Sequence, residues 1–512
     1  MRLGELLMGT DVSFGAKSPE TVAAELSREI VCIASDSRRV RPGCLFICQR
    51  GLHHDGHRYI DTALENGAVC VIGEESVGEE VLTTSSARIT ESVVWNNFYK
   101  RPTDGMKKIA VTGTAGKTTV AFTLRHILRS VGHRVGVLTT LGAFAEDERI
   151  TLGDNGGSSV SDISGAMTTP DPEYFFGAAA RMKVRGCDTL IYEASSQSLL
   201  LHRTDAIVPD IAIFTNLSPE HLDCHGDMES YFLAKARLME TARLGITNAD
   251  DRYMNRLGGM FPEKTILTCS CEPSRISETD VCAIRIASRG ALGMEYVYFS
   301  RDAVFRVQTP LIGRHSVCNT MQAVTCALCL GADPMLVKDA VAVMNGVDGR
   351  LCRVDIPREL DYPADVFIDY AHTPESLAAA LSALSELCRG RLLVLFGCGG
   401  DRDREKRPRM AEVAQSLAEL VVVTGDNPRT EDPLDIIADI VRGLDTSRPH
   451  AVIPDRREAI RYIVREAREG DIVLLAGKGH ERYEIDADGR HPFDEEALVL
   501  EAVEEMKRDI QK

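Results

Sequence analysis

An α/β protein of three domains is what this sequence predicts, and three observations carry that prediction. A glycine loop, Val111-Thr112-Gly113-Thr114-Ala115-Gly116-Lys117-Thr118-Thr119, lies between an apolar run and an amphipathic segment. Apolar strand-like runs alternate with helical segments through the middle of the chain, and the alternation starts afresh after residue 345, as in mostly parallel sheets covered on both faces. A polar stretch, Arg101-Pro102-Thr103-Asp104-Gly105, reads as a linker that closes off a first block. The expected boundaries are 1–104, 105–345 and 346–512, about three domains of ordinary size for 512 residues.

In the first block the short apolar runs CLFIC and AVCVIG read as strands, with a helical stretch near Tyr59 to Asn66. The second block opens with the strand KIAVT, and Thr118 to Val131 carries apolar residues at helical spacing, so the glycine loop opens a helix. Backbone N–H groups at a helix N-terminus attract phosphate, and Gly113 and Gly116 let them approach it without a Cβ in the way. Lys117 would neutralise the terminal phosphates and Thr118 would offer a hydroxyl to Mg²⁺. The general pattern asks for a further glycine where Val111 stands, so this is the shorter G-x-x-G-K-T-T form. The loop predicts a nucleoside triphosphate as ligand.

The strands RVGVLTT, TLIYEA and DIAIFTN follow. Glu193 ends the second of these, where a carboxylate is well placed for Mg²⁺ in a P-loop protein. The segment Thr215-Asn216-Leu217-Ser218-Pro219-Glu220-His221-Leu222-Asp223 leaves the third, and Met228 to Met239 is an amphipathic helix that contains Lys235. Taken alone, His221 is most simply a surface or core histidine and Lys235 a solvated helix residue. The third block reads as DVFIDYA, a helix from Pro374 to Cys388, RLLVLFG, a helix from Pro408, LVVVTG, two helices and DIVLLAG. Its glycine- and charge-rich loops follow strand C-termini, where open α/β sheets bind ligands. Two such units would place their sites across a cleft.

Composition narrows the classes. With 44% hydrophobic and 26% charged residues the chain is globular, and a net charge of −17 with no basic stripe argues against nucleic acid. No run of about 18 apolar residues occurs, so a soluble protein that is neither exported nor inserted in a membrane is expected. The fifteen cysteines, Cys32, Cys48, Cys70, Cys326 and Cys329 among them, are expected to be reduced, buried thiols of a cytoplasmic protein. Cys326 and Cys329 form a lone C-x-x-C without a second pair or a histidine pair, so zinc is not expected. There is no fixed-period repeat.

Together these segments resemble one family, the Mur ligases, which join amino acids to the peptidoglycan precursor, and the resemblance runs over nearly the whole chain. It implies an N-terminal uridine-nucleotide-binding α/β domain, a central P-loop ATPase with a mostly parallel sheet, and a C-terminal Rossmann-like α/β domain. The family's ATP loop falls on Gly113, Thr114, Ala115, Gly116, Lys117, Thr118 and Thr119. Its metal-binding glutamate falls on Glu193, the histidine of T-N-L-x-x-[DE]-H-L-D on His221, and the carbamylated lysine of A-K-x-x-L on Lys235. A carbamate makes physical sense there, because a bare ammonium repels Mg²⁺ while a carbamate supplies carboxylate-like oxygens. Asn319, in a segment similar to G-x-x-N-x-x-N, with Arg350 and Asp369, would complete the ATP contacts.

Within the family the chain is similar to the tripeptide-forming subgroup, which extends UDP-N-acetylmuramoyl-L-alanyl-D-glutamate. Ser35, Ser37, Leu52, His53 and His54 match its uridine-binding features, and Thr168, Thr169, Ser195 and Arg203 match positions that hold the muramoyl dipeptide. Arg402, Asp426, Asn427, Pro428, Arg429, Gly477 and Glu481 match acceptor contacts, and Asp-Asn-Pro-Arg is the form found with meso-diaminopimelate. A fixed guanidinium can read the second carboxylate of that acceptor bidentately, a group that lysine lacks. Three departures stand out: Gln197 for a histidine, Ser316 for an asparagine and Cys352 for a glutamate, none of them at a metal or phosphate position. The expectation is a monomeric, ATP- and Mg²⁺-dependent amide ligase that works through an acyl phosphate. The rivals are a ligase using lysine or another acceptor, a folyl-polyglutamate synthetase, and a non-catalytic nucleotide-binding paralogue.

Overall fold

Three sheets, one per block of the sequence, carry the structure, a computed structural model that describes residues 1–51, 55–75, 81–151 and 167–510. The first is a four-stranded parallel sheet of β1 (Cys32–Ala34), β2 (Cys44–Ile47), β3 (Ala68–Gly73) and β4 (Val81–Thr83) in that order. One of its faces packs on helix Ile60–Glu65 and the other on helix Ala87–Phe98. The second cluster runs on without a break into the central unit, joining Ile47, Ile72 and Trp95 to Phe175, Tyr192 and Phe214.

The central sheet has eleven strands: β5 (Lys107–Thr112), β6 (Val135–Thr139), β7 (Gly142–Ala145), β8 (Glu148–Arg149), β9 (Thr189–Glu193), β10 (Ile211–Phe214), β11 (Leu244–Asn248), β12 (Thr265–Ser270), β13 (Val281–Ser288), β14 (Met294–Ser300) and β15 (Val304–Thr309). Their order is β15-β14-β13-β12-β11-β10-β5-β9-β6-β7-β8. From β13 to β6 every pairing is parallel, and β5 sits inside that stretch between β10 and β9. Hairpins add antiparallel strands at both edges, so the mostly parallel sheet has antiparallel margins. The margin strands escape a reading by apolar runs because they are short or alternate with exposed polar residues, as Glu148–Arg149 and Val304–Thr309 do.

The third sheet has the order β16-β17-β21-β18-β19-β20, with β16 (Cys352–Arg353), β17 (Asp365–Asp369), β18 (Leu392–Phe396), β19 (Leu420–Val423), β20 (His450–Val452) and β21 (Ile472–Ala476). Only β16 is antiparallel. Its faces are covered by helices Pro374–Ser385, Lys406–Leu417 and Pro433–Val441 on one side and Arg456–Glu466 and Glu495–Ile510 on the other. A hairpin of β22 (Tyr483–Asp486) and β23 (Gly489–Pro492) follows. Among the described residues no helix is long and apolar enough to cross a membrane.

The cysteine expectation is corrected. Cys32 pairs with Cys44, and Cys271 with Cys318, as disulfides, while Cys224 and Cys329 are exposed. Cys32 and Cys44 are register partners on adjacent strands, a proximity that their separation along the chain does not reveal. Cys48, Cys70 and Cys326 are free and buried, as expected. Phe214 closes β10 at 0% exposure, and its carbonyl accepts a hydrogen bond from Gln322 Nε2 (2.8 Å) on the facing helix. Phe214→Ala is expected to cost about 3–5 kcal/mol, read as a fall in the urea midpoint.

Candidate active site

The phosphate loop leaves β5 at the middle of the sheet, where strands on either side also deliver their C-terminal ends. Two glycines are obligatory there. Gly113 has φ +145° and a Cβ on it would lie 1.9 Å from Thr215 Oγ1; Gly116 has φ +84° and a Cβ would lie 2.5 Å from Asn319 Oδ1. The loop is laced to the Thr215-Asn216 segment: Thr114 N donates to Asn216 O (2.9 Å), Ala115 N to Asn216 Oδ1 (2.9 Å), and Thr215 Oγ1 to Ala115 O (2.6 Å). Helix Lys117–Ser130 then starts with its free N–H groups toward the cleft.

Beside the loop, hydroxyls converge on one buried carboxylate. Glu193 is 1% exposed; its Oε1 accepts from Thr118 Oγ1 (2.7 Å), and its Oε2 accepts from Thr140 Oγ1 (3.0 Å). Arg350 Nη2 reaches across from the third sheet's unit to donate to Thr118 Oγ1 (3.1 Å), and its guanidinium lies over the Tyr370 ring (4.7 Å). Asp369, at the end of β17, accepts from Leu351 N and Ala371 N (both 2.7 Å), and burial pushes its carboxyl up from the ordinary value.

Lys235 is no solvated helix residue. It is 2% exposed, donates from Nζ to Gly113 O (2.8 Å), and lies 4.6 Å from the Tyr231 ring. Lys117 Nζ donates to Gly113 O (3.0 Å) and Thr114 O (2.7 Å). Burial lowers both ammonium pKa values, Lys235 strongly, with Lys117 adding repulsion at Lys235. Burial would raise Glu220, yet the hydrogen bond from His372 Nε2 (3.0 Å) and the charges of His372, His221 and Lys117 hold it well below the carboxylate range. His221, in left-handed backbone at φ 57°, stands 3.8 Å from Glu220, and the cleft walls push its pKa down.

On the side of the first sheet, Thr169 Oγ1 donates to Glu193 O (2.7 Å) and accepts from Ser195 N (3.0 Å), while Thr168 Oγ1 lies 3.2 Å from Thr140 Oγ1. Arg203 donates to Thr169 O (2.8 Å) and pairs with Asp171 (2.9 Å). On the opposite wall, Asp426-Asn427-Pro428-Arg429 leaves β19 and meets the Gly477-to-Glu481 turn that leaves β21. Asn427 Nδ2 donates to Glu481 Oε2 (2.7 Å), and Arg429, at φ 55°, donates from Nη1 to Gly400 O (2.8 Å). Burial and neighbouring Asp426 raise Glu481. Most of these groups, with Asn319 and the exposed Arg402, border one cleft of about 850 Å³ between the central and third sheets.

Three family models match in tandem: the Mur ligase family catalytic domain over residues 29–112, the Mur ligase middle domain over 111–327, and the Mur ligase glutamate ligase domain over 350–479. A UDP-N-acetylmuramoyl-L-alanyl-D-glutamate–2,6-diaminopimelate ligase of Syntrophomonas wolfei is 38% identical over 93% of this chain and 95% of its own length. The chain belongs to the Mur ligase family. A ligase of the same name from Clostridioides difficile is 34% identical over 99% of this chain and 100% of its own. Among solved structures, one so titled superposes with a TM-score of 0.67 at 29% identity, covering 99% of both chains. A MurF ligase of Thermotoga maritima in complex with ADP shares the fold, with a TM-score of 0.59 at 17% identity over 94% of this chain and 98% of that one. This chain is therefore a ligase, and ATP-dependent as its family is.

In this Mur ligase the cleft gathers the loop, Glu193, His221, Asn319, Arg350, Asp369, Thr168, Thr169, Ser195, Arg203 and the acceptor-side residues, except that Pro428 and Gly113 lie behind its surface. Lys235 also sits behind the loop. Ser35 and Ser37 lie apart, on the first sheet's unit, and Leu52, His53 and His54 fall outside the described residues. Ser316 turns its hydroxyl to Ile312 O (2.7 Å), Cys352 donates to Val347 O (3.0 Å), and Gln197 is exposed at the cleft edge. Sequence reasoning gave no role to Thr140, Glu220 or His372, although Glu220 stands in the segment Thr215 to Asp223. Thr140 had a signal, since RVGVLTT ends beside the phosphate-loop strand's neighbour; the Glu220 to His372 contact had none, the two standing 152 positions apart in the chain.

Ser35 donates its hydroxyl to Glu91, as does the Gln49 amide, and burial pushes Glu91 up from 4.5 to about 7. Between those values the folded chain keeps a proton that the unfolded chain has lost. Stability is thus expected to fall on the order of 3 kcal/mol from pH 4.5 to 7 through this group and to stay level above. Glu91→Gln should flatten that stretch of the pH profile in urea titrations.

Proposed function

We propose that this enzyme joins meso-diaminopimelate to the D-glutamate side-chain carboxyl of UDP-N-acetylmuramoyl-L-alanyl-D-glutamate, in the cytoplasm and as a monomer. The observation that carries this reading is the presence of both Glu481 and Arg429 on one wall of a cleft whose other wall is the phosphate loop. A carboxylate and a guanidinium fixed by its own backbone contacts suit an acceptor with an ammonium at one end and a carboxylate at the other. The names borne by the relatives agree with it.

In this reading the N–H groups of Gly116 to Thr119 and the Lys117 ammonium hold the γ-phosphoryl group and offset its charge as it passes to the glutamate carboxylate, giving an acyl phosphate. Asn319, Arg350 and Asp369 hold the rest of ATP. Thr168, Thr169, Ser195 and Arg203 hold the muramoyl dipeptide, with Ser35 and Ser37 at its uridine end. Glu481, Asp426, Asn427, Pro428, Gly477 and Arg402 shape the place where the acceptor amine attacks, and enclosure of the cleft keeps water from the acyl phosphate. The hydroxyl of Thr118 and carboxylate of Glu193, 2.7 Å apart, are the hard oxygen donors that suit Mg²⁺. His221 and Lys235 as a carbamate would complete that set. Bound there, Mg²⁺ would offset phosphate charge. Burial favours the neutral amine of Lys235, the form that reacts with carbon dioxide.

ADP release is expected with ATP, Mg²⁺, the muramoyl dipeptide and diaminopimelate, and not when lysine replaces the acceptor; equal use of lysine would overturn the acceptor assignment. Arg429→Ala should lower kcat/KM for diaminopimelate by roughly ten- to several-hundredfold while changing that for lysine far less. Lys235→Ala should be nearly inactive and regain part of its rate with added short-chain carboxylates; a folded variant of normal rate would refute the carbamate.

A further inference from the structure

Behind the acceptor wall lies a cation with no access to the cleft. Lys478 is 0% exposed, its Nζ donating to Asn427 Oδ1 (3.0 Å) and Tyr483 O (3.1 Å), 3.4 Å from Asp426 Oδ1 and 5.1 Å from the Phe493 ring. Asn427 Oδ1 also accepts from Ile485 N (3.0 Å). Two donors on one side-chain oxygen settle which way the amide faces, since the flipped amide would set an NH₂ group against both of them. Asn427 Nδ2 is thereby aimed at Glu481 Oε2 (2.7 Å). Glu481 has one oxygen engaged from behind and borders the cleft.

The same lysine governs local charge. Asp426 and Glu481 are two carboxylates on adjoining turns, and Gly477 lets those turns close: its φ is +115°, and a Cβ would lie 2.9 Å from Asp426 Oδ2. Arg456, the other buried cation there, is already bound to Glu495 (2.8 Å), Ala476 O (2.8 Å) and Gly425 O (3.1 Å). Without Lys478 the amide of Asn427 loses the stronger of its two orienting donors, and Asp426 faces Glu481 with less compensation.

We propose that Lys478 is a positioning residue of the acceptor site, orienting the Asn427 amide and through it the Glu481 carboxylate that receives the acceptor's amino-acid end. This rests on the acceptor reading given above. Its action is selective: ATP and the muramoyl dipeptide are held by other elements of the cleft, so only the acceptor should register its loss.

The test is full steady-state kinetics on Lys478→Met, with folding checked by circular dichroism. Expected is a rise of about tenfold or more in KM for diaminopimelate, with KM for ATP and for the muramoyl dipeptide within about twofold of wild type and kcat at saturating acceptor largely kept. In an Asn427→Ala background the same substitution should add less than about twofold, because its route is already cut. Equal losses toward all three substrates in a folded protein, or effects that multiply in the double variant, would overturn the proposal. Asn427→Asp keeps an acceptor for Lys478 and Ile485 N but loses the donor to Glu481. It should show the same acceptor-selective defect, and a normal acceptor KM there overturns the proposal whether or not Lys478→Met folds. A wild-type enzyme indifferent to diaminopimelate sinks the acceptor reading instead, whereas a responsive wild type with an unaffected Lys478→Met sinks this one alone.

Discussion

One backbone carbonyl, that of Gly113, accepts hydrogen bonds from two buried amino groups, Lys117 and Lys235. Two charges on one oxygen inside a protein would repel each other and resist desolvation, and that constraint, which favours the neutral amine at Lys235, organises the floor of the cleft. Glu193 and Glu220 are the buried answer from the protein side; Glu220 stays ionised despite its burial. In a chain of net charge −17 the floor still offers a polyanion the Lys117 ammonium and the N–H groups at the start of helix Lys117–Ser130. Gly113 can present its carbonyl in this way only because it lacks a Cβ, which Thr215 would exclude.

The units above and below the cleft are joined in different ways. An unbroken apolar cluster ties the first sheet to the central one, and the Ser92 hydroxyl, on the first unit's helix, donates to the carbonyl of Arg203 (3.1 Å). The third sheet keeps two cores almost wholly its own, with Ile312 as the central unit's addition to one of them. It meets the central unit at the floor through polar bridges, Arg350 to Thr118 and His372 to Glu220. Apolar burial fixes the one junction; exchangeable hydrogen bonds hold the other.

What was legible in the sequence was local. The phosphate loop, its strand and its helix follow from consecutive residues, and the continuous apolar runs of β5, β9, β10, β18, β19 and β21 identify buried parallel strands. Edge strands such as β7 and β8 offer no such run. Helix Lys406–Leu417 starts two residues before Pro408, since proline fits the first turn without marking its first residue. Contacts made by folding were hidden: Cys32 with Cys44 across a ladder, Glu220 with His372 across the cleft, and Arg407, fully buried, clamping Glu431 and Asp439 beneath the Gly399-Gly400-Asp401 loop. Lys478 reads from sequence as one more charge in a glycine-rich turn, and only the fold shows it sealed behind Asn427.

The closed cores of the third sheet have an evolutionary corollary. A unit that satisfies its own apolar surface and touches the rest through a handful of polar bridges is portable. The residues proposed to choose the incoming amino acid lie on it, while the phosphate loop lies on the central unit, so acceptor preference could diverge with little change to the loop. Recombination within one contiguous stretch of gene could then change which amino acid is added while leaving the energy-coupling half untouched.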